Sequence, residues 1–553
     1  MRLRSAGNLP RSQTIPPTHH FVHSTTHDAT HIPELLLRYF GYLTRAELVN
    51  TAIVCSSWSI LAIDTLWCHH EVPLSALLSL LPFLHKRPIK IRRHENDEKN
   101  EDDPDSDFIQ GGWYPMMEQP IDTPTWNLLL NKYAYKVTRL LLDTALRGPS
   151  VRLLTTLLDK SAGPVLCPNV RSLRIVMRAH SERLHAMAIP ILCGSSVTNV
   201  EVKDFCIVVS DPVRFAEHLG TAFQICGSQI RCFKLGSSRG SSYTFTPDFS
   251  LFDRLTKVHL RNLTREGWQK LAENCPHLLE VSLTEVLEEM RRPTPNGDLA
   301  KSIDFPLLRK LSINSTTLVN GILSESNMPA LERLVVGTHV YDGNGTISMQ
   351  LAKRSSLLQE VELCIMQPDG VGLIITALSS LCRLRKLKLS GETSEWDMTD
   401  SHMNALARSA PNLRSISITF ERRSYSRTEK KIHITRATLL SLVQHCRQLV
   451  EIELPMDLSN ADVPRKKLVG FTPSTTVTSL KFWEAVLPPK FSRSSHIKFL
   501  DGIVHFLIGC CPEVRVFGAH EQNTGVVRPG IEQRFRKYLE DKWRVISTYV
   551  AQK

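Results

Sequence analysis

Leu384-Arg385-Lys386-Leu387-Lys388-Leu389 and, 29 residues further on, Leu413-Arg414-Ser415-Ile416-Ser417-Ile418 share one pattern: apolar, two variable residues, apolar, one variable residue, apolar. Its second half alternates with period two, the mark of a short strand with one buried face. Between the copies, Asp400 to Ala410 sets Met403, Leu406 and Ala407 at helical spacing. Thr435 to Cys446 behaves the same way, with Leu439, Leu440 and Val443 expected to face inward. Working outward, the pattern recurs at Val170-Leu173-Ile175, Val197-Val200-Val202, Ile230-Phe233-Leu235, Leu255-Val258-Leu260, Leu278-Val281-Leu283 and Leu308-Leu311-Ile313. It continues at Leu331-Leu334-Val336, Leu358-Val361-Leu363, Leu449-Ile452-Leu454, Val477-Leu480-Phe482 and Val514-Phe517-Ala519. The thirteen central residues lie 23 to 37 residues apart. One strand with one helix cannot bury both apolar faces, but stacked neighbours can, so the array must be long. The predicted class is α/β: a strand-plus-helix solenoid over residues 126–530, followed by a C-terminal helix or cap at 531–553.

A second register accompanies the first. Six residues before the central strand residue stands Cys167, Cys275, Cys446 or Cys511, and elsewhere Ala410 or Leu381. Pro168, Pro276, Pro411 and Pro512 follow directly, and proline stops a helix before the next strand. At repeat spacing these cysteines read as small buried residues closing each turn, not as ligands or nucleophiles. The arrangement resembles the cysteine-containing leucine-rich repeats of F-box proteins, in an irregular style common in fungi. That resemblance implies a horseshoe with the variable strand residues on its concave side, although the usual Asn after the strand is largely missing.

Residues 31–88 form a separate apolar segment with three short helices expected. Pro33 opens the first helix, where its missing N–H costs nothing, and Leu36, Phe40 and Leu43 share a face. Thr44 and Glu47 have the spacing of a capping box for the second helix, which carries Leu48 and Ala52 and is expected to continue through Val54 to Cys55. Ser56 or Ser57 leads into a third helix with Trp58, Leu61 and Ala62. So many large apolar side chains in so short a segment imply that a partner or the following domain completes one face. In order, Ile32-Pro33-Glu34-Leu35-Leu36, Phe40 to Leu43, Glu47-Leu48, Val54-Cys55 with Trp58, and Leu66-Trp67 resemble the F-box. Ile32 departs from the usual Leu, Gly41 from a common Ser, and Ser56 from a common basic residue. The resemblance implies docking on a Skp-type adaptor, which links the chain to a cullin and a ubiquitin-conjugating enzyme. It assigns Ile32, Pro33, Leu35, Leu36, Leu48, Val54, Cys55 and Trp58 to that interface, while Leu36 and Trp58 could equally serve to hold the helices together.

The remaining composition narrows the function classes. Among 553 residues, 42% are hydrophobic and 22% charged, as in ordinary folded proteins. No apolar run approaches the roughly 18 residues of a membrane span. Residues 1–30 are basic and proline-bearing and read as a disordered tail. Residues 89–125 read as an acidic disordered linker around Glu95 to Asp107. Thirteen cysteines without a Cys-x-x-Cys pair fit reduced thiols in the cytoplasm or nucleus, and no metal or cofactor is expected. The net charge of +12 is spread along the chain and does not point to nucleic acid. Phosphate-loop, zinc-protease and nucleophile-elbow motifs are absent, so no enzyme activity is expected. The reading is a substrate adaptor of an SCF-type ubiquitin ligase, with a non-catalytic repeat scaffold as the alternative. On the concave side, Arg309, Lys310, Arg385, Lys386, Lys388 and Arg414 make a basic excess suited to an acidic or phosphorylated protein substrate. Glu332, Glu360 and Glu362 lie in the same span, so a solvated mixed-charge face is the rival interpretation.

Overall fold

The computed structural model describes residues 33–78, 84–88, 113–117, 132–142, 165–176, 194–203, 226–236, 247–261, 263–284, 303–314, 325–341, 356–366, 371–393, 398–422, 433–457, 472–486 and 509–520, with isolated positions besides. The expected tail at 1–30, the run Glu95 to Asp107 and nearly all of the expected C-terminal cap lie outside these residues. The chain divides into two compact units, Met1–Leu255 and Thr256–Lys553.

In the first unit the three expected helices form: α1 (Pro33–Phe40), α2 (Arg45–Thr51) and α3 (Ser56–His69). The capping box is present, with the Glu47 N–H donating to Thr44 Oγ1 at 3.4 Å and the Thr44 N–H donating to the Glu47 carboxylate at 2.6 Å. Leu36, Phe40, Leu48 and Ala62 make a small core on which Leu43, Ala52, Trp58, Leu61 and Leu66 pack. After α3 come β1 (Val72–Pro73) and α4 (Leu74–Leu78). β2 (Leu84–Pro88) and β3 (Trp113–Met117) then pair antiparallel on either side of residues 89–112. β4 (Arg139–Leu142), β5 (Ser172–Val176), β6 (Asn199–Lys203) and β7 (Cys232–Leu235) join β1 in a parallel sheet ordered β1-β4-β5-β6-β7.

The second unit repeats the design. β8 (Lys257–Leu260), β9 (Glu280–Leu283), β11 (Lys310–Ile313), β13 (Arg333–Tyr341) and β14 (Glu360–Met366) are followed by β15 (Lys386–Thr393) and β16 (Ser415–Arg422). β17 (Glu451–Asp457), β18 (Ser479–Val486) and β19 (Val516–His520) complete a wholly parallel ladder. Two short strands, β10 (Ile303–Asp304) and β12 (Ser326–Asn327), pair apart from it. Helices α5 (Arg265–Asn274), α6 (Val371–Leu378), α7 (Asp400–Ser409) and α8 (Arg436–His445) connect ladder strands.

The second and third members of all thirteen triplets lie on ladder strands, and the central residues are paired in register. Leu140, Leu173, Val200 and Phe233 form one row, and Val258, Val281, Leu311, Leu334, Val361, Leu387, Ile416, Ile452 and Leu480 another. Every one of these side chains is buried. Two ladder strands escaped the sequence reading, as did the short strands β2, β3, β10 and β12 outside it. β4 carries the same pattern as Val137-Leu140-Leu142, and β1 is only two residues long.

Backbone hydrogen bonds fix this register. The carbonyl one residue after the first apolar position accepts two N–H groups from the following strand. Gln359 accepts from Arg385 at 2.7 Å and Lys386 at 3.0 Å; Arg385 accepts from Arg414 at 2.7 Å and Ser415 at 3.1 Å. Thr138, Arg171, Thr198, Thr256, Leu279, Arg309, Glu332, Arg414 and Val450 do the same. A tight turn precedes most ladder strands, in which the first apolar N–H donates to a carbonyl three residues back. That carbonyl belongs to Cys167, Cys275, Cys446 or Cys511, to Ala410 or Leu381, and elsewhere to Ala134, Gly227, Phe252, Phe305 or Met328. These residues are all buried. After α5, α6, α7 and α8 the position holds Cys, Leu, Ala and Cys. Before β8, β11 and β13 it holds the larger Phe252, Phe305 and Met328.

The helices follow the expected stripes with one correction. In α7, Met403, Leu406 and Ala407 are buried; in α8 it is Leu442, and not Leu440, that joins Leu439 and Val443 inside. Positions 438, 439, 442 and 443 form one stripe at three- and four-residue spacing, and Leu440 lies at its edge, half-buried. The two helices are tied at their N-termini by Asp400, whose carboxylate accepts from the Thr435 N–H at 2.8 Å and from the Thr435 and Thr438 hydroxyls at 2.6 and 2.5 Å.

Gly391 in β15 has φ +142°, and a Cβ there would collide with the backbone carbonyl of Ile365, its partner in β14. Gly391→Ala should lower unfolding free energy by about 2 kcal/mol or more in a urea titration, since neither the dihedral nor the space suits a side chain.

Candidate functional site

The helical module cannot bury its own apolar complement. Among the described residues, seven of the twelve exposed large hydrophobic side chains fall between Leu35 and Ile60. They are Leu35, Leu37, Tyr39, Tyr42, Ile53, Val54 and Ile60, with Tyr42 at 90% and Ile53 at 77% exposure. Val54 and Cys55 do not continue α2 as expected: α2 ends at Thr51, Ile53 and Val54 occupy the turn before α3, where polar residues would ordinarily stand, and Cys55 is the N-cap of α3.

The residues expected at an adaptor interface divide into two groups. Pro33, Leu35, Val54 and Cys55 are exposed. Leu36 and Leu48 lie in the three-helix core, and Trp58 packs partly buried against Phe40, ring centroids 5.8 Å apart. Ile32 lies outside the described residues. Leu37, Tyr39, Tyr42, Ile53 and Ile60 were not singled out from the sequence. The apolar Ile53-Val54 pair after the helix-two stripe was the available signal.

The ladder's polar face is organised differently. In the second unit the side chains between the buried positions form aligned rows, and acids and bases are interspersed along them. Glu280 is bridged by Lys257 at 3.3 Å and by Lys310. Glu362 receives Lys386 at 2.8 Å and Arg333 at 3.2 Å; Arg333 also reaches Glu360 at 3.2 Å. Burial by itself would raise the Glu362 carboxyl. The Lys386 hydrogen bond and the charges of Lys386, Arg333 and Lys388 outweigh it and hold the group below the usual carboxylate range. Glu280 is lowered in the same way, with burial opposed by Lys310 and Lys257. Of the residues expected to favour an acidic substrate, Lys310 and Lys386 are therefore engaged within the protein. Arg309 stands 3.9 Å from Glu332, and Arg414 donates to Gln448 at 3.3 Å. Arg385 and Lys388 are exposed.

The cysteines of the closing turns are enclosed in apolar surroundings. Burial pushes the thiols of Cys167, Cys446, Cys510 and Cys511 up to about 12. Cys446 Sγ donates to the carbonyls of Ala407 and Ala410, each at 3.5 Å. Among the described residues no group of three or more His, Cys, Asp or Glu could hold a metal ion, and no helix is long and apolar enough to cross a membrane. A thiol reagent at pH 8 should modify exposed Cys55 and Cys382 rapidly and leave those four buried thiols intact until denaturant is added. Peptide mapping of the labelled chain reads this out.

Residues 33–71 match the F-box-like family. No curated protein matches the chain. Among solved structures, the Rad7 and Elc1 complex in yeast is similar with a TM-score of 0.30 and 13% identity, covering 74% of this chain and 82% of that one. The TLR13–ssRNA13 complex gives a TM-score of 0.35 and 13% identity over 64% of this chain and 53% of that one. The repeat assignment rests on the ladder, whose triplets, register and closing turns recur strand after strand. Residues 33–71 are thus an F-box-like domain at the head of a chain built from leucine-rich-repeat-type strands.

Proposed function

We propose that this protein is the substrate-receptor subunit of an SCF-type ubiquitin ligase, acting in the cytoplasm or nucleus. The observation that carries the proposal is the concentration of exposed apolar side chains on the F-box-like domain. An exposed Ile53, Val54, Ile60 and Tyr42 on one small module is costly in water and is relieved when a partner covers it. A Skp-type adaptor is that partner, with Pro33, Leu35, Val54 and Cys55 in contact and Leu36, Leu48 and Trp58 supporting them from within. Through the adaptor the chain joins a cullin. The repeats hold a protein substrate, and the chain itself performs no chemistry. Arg385 and Lys388, with Arg309 and Arg414 at the strand starts, are the cations most free to meet acidic groups of that substrate.

A pull-down with purified Skp-type adaptor tests the reading. Ile53→Asp combined with Val54→Asp changes only exposed side chains, so helicity by circular dichroism should stay at the wild-type level. Adaptor affinity should fall about 100-fold or more, as when central apolar anchors of an interface are lost. Failure of the folded wild-type chain to bind would remove the ligase reading and leave a repeat scaffold.

A further inference from the structure

The F-box-like domain and the first repeats are separated in sequence but not in space. Pro73 and Arg139 flank a long stretch of chain, yet β1 lies parallel to β4 with Val72 opposite Leu140 and Pro73 opposite Leu141. Four side-chain contacts extend that seam. Lys136 forms an ion pair with Asp64 of α3, and the Thr138 hydroxyl donates to the Cys68 carbonyl. The Trp67 and Tyr133 rings lie 5.2 Å apart, and Arg174 of β5 meets Glu71 at 3.2 Å. Without this seam β4 would present an unpaired strand edge, and Leu140 beneath it would lose its cover.

We infer that the F-box-like domain is the N-terminal cap of the first unit's ladder, so that the adaptor-docking surface and strands β4 to β7 open as one body. A repeat array needs its terminal unit closed, because an end strand has a neighbour on one side only. Here the end of α3, with β1, supplies that neighbour. The stretch between β1 and β4 is then a by-pass that sets neither distance nor orientation. β2 and β3 close its middle part, with Pro88 directly opposite Trp113. The docked adaptor therefore holds the face of β4 to β7 in a set direction. Removing the domain would damage the repeats as well as abolish docking.

Hydrogen exchange by mass spectrometry on the full chain tests this without any adaptor, so its outcome is independent of the ligase reading. Lys136→Ala with Thr138→Val alters only the repeat side of the seam. It should speed exchange about tenfold or more in residues 56–73 as well as in 132–142, since both belong to one cooperative unit. Replacing residues 89–112 by Asn-Gly, a two-residue hairpin turn, should leave both segments at the wild-type rate. Wild-type exchange of 56–73 in the seam variant, or loosening of both segments by the turn replacement, would overturn the cap. If the seam variant does not fold, Arg174→Met is read by the same criterion.

Discussion

The carbonyl just inside each strand, accepting two N–H groups from the next, is the constraint on which the architecture depends. From β4 to β7 and from β8 to β18 it sets the central apolar residue of each strand opposite that of its predecessor. A slip of one residue would exchange the buried and exposed sets entirely. Because the register holds, Leu334, Val361, Leu387 and Ile416 stack in one row beneath the sheet. The residues between them stack above it, and this alignment allows Glu362 to be shared by Arg333 on one strand and Lys386 on another. The charge pairing is a consequence of the backbone pattern. Its own contribution to stability is modest, because the pairs are partly exposed to solvent.

The two parts of the molecule handle apolar surface in opposite ways. The ladder encloses it: strand triplets and closing-turn residues are buried, including cysteines whose thiols are thereby kept protonated. The F-box-like domain leaves much of it outside, since three short helices surround only a few core side chains. One side of the domain is satisfied by Trp67 against Tyr133 and by β1 against β4. The surface around Ile53, Val54 and Ile60 remains open. Exposed apolar side chains are thus concentrated on the F-box-like domain, while the carboxylates Glu280 and Glu362 of the ladder are paired with neighbouring cations.

The closing-turn position shows how local geometry and packing divide the work. The turn requires a carbonyl three residues before the first apolar residue, and any side chain can supply that. What the side chain must be depends on its neighbour. After α5, α7 and α6 it is Cys275, Ala410 and Leu381; before β11 and β13 it is the larger Phe305 and Met328, and all five are buried. The cysteine spacing therefore marked some repeats plainly and left others unmarked.

The sequence by itself determined thirteen of the ladder strands, the α7 stripe and the capping box at Thr44 and Glu47. These depend on residues a few positions apart, whose periodicity records which face is buried. It also carried the F-box order of residues, which is likewise local. Only the tertiary structure decided that Val72–Pro73 begins the ladder, because its partner Leu140-Leu141 lies far along the chain. It alone separated Leu36 and Leu48, which are buried, from Leu35 and Val54, which are not. It alone chose Leu442 over Leu440. It also showed that Lys310 and Lys386, free cations on paper, already have carboxylates of their own. The physical reason is the same each time: pattern records that a residue is apolar or charged, while burial and pairing are properties of the neighbours that folding brings to it.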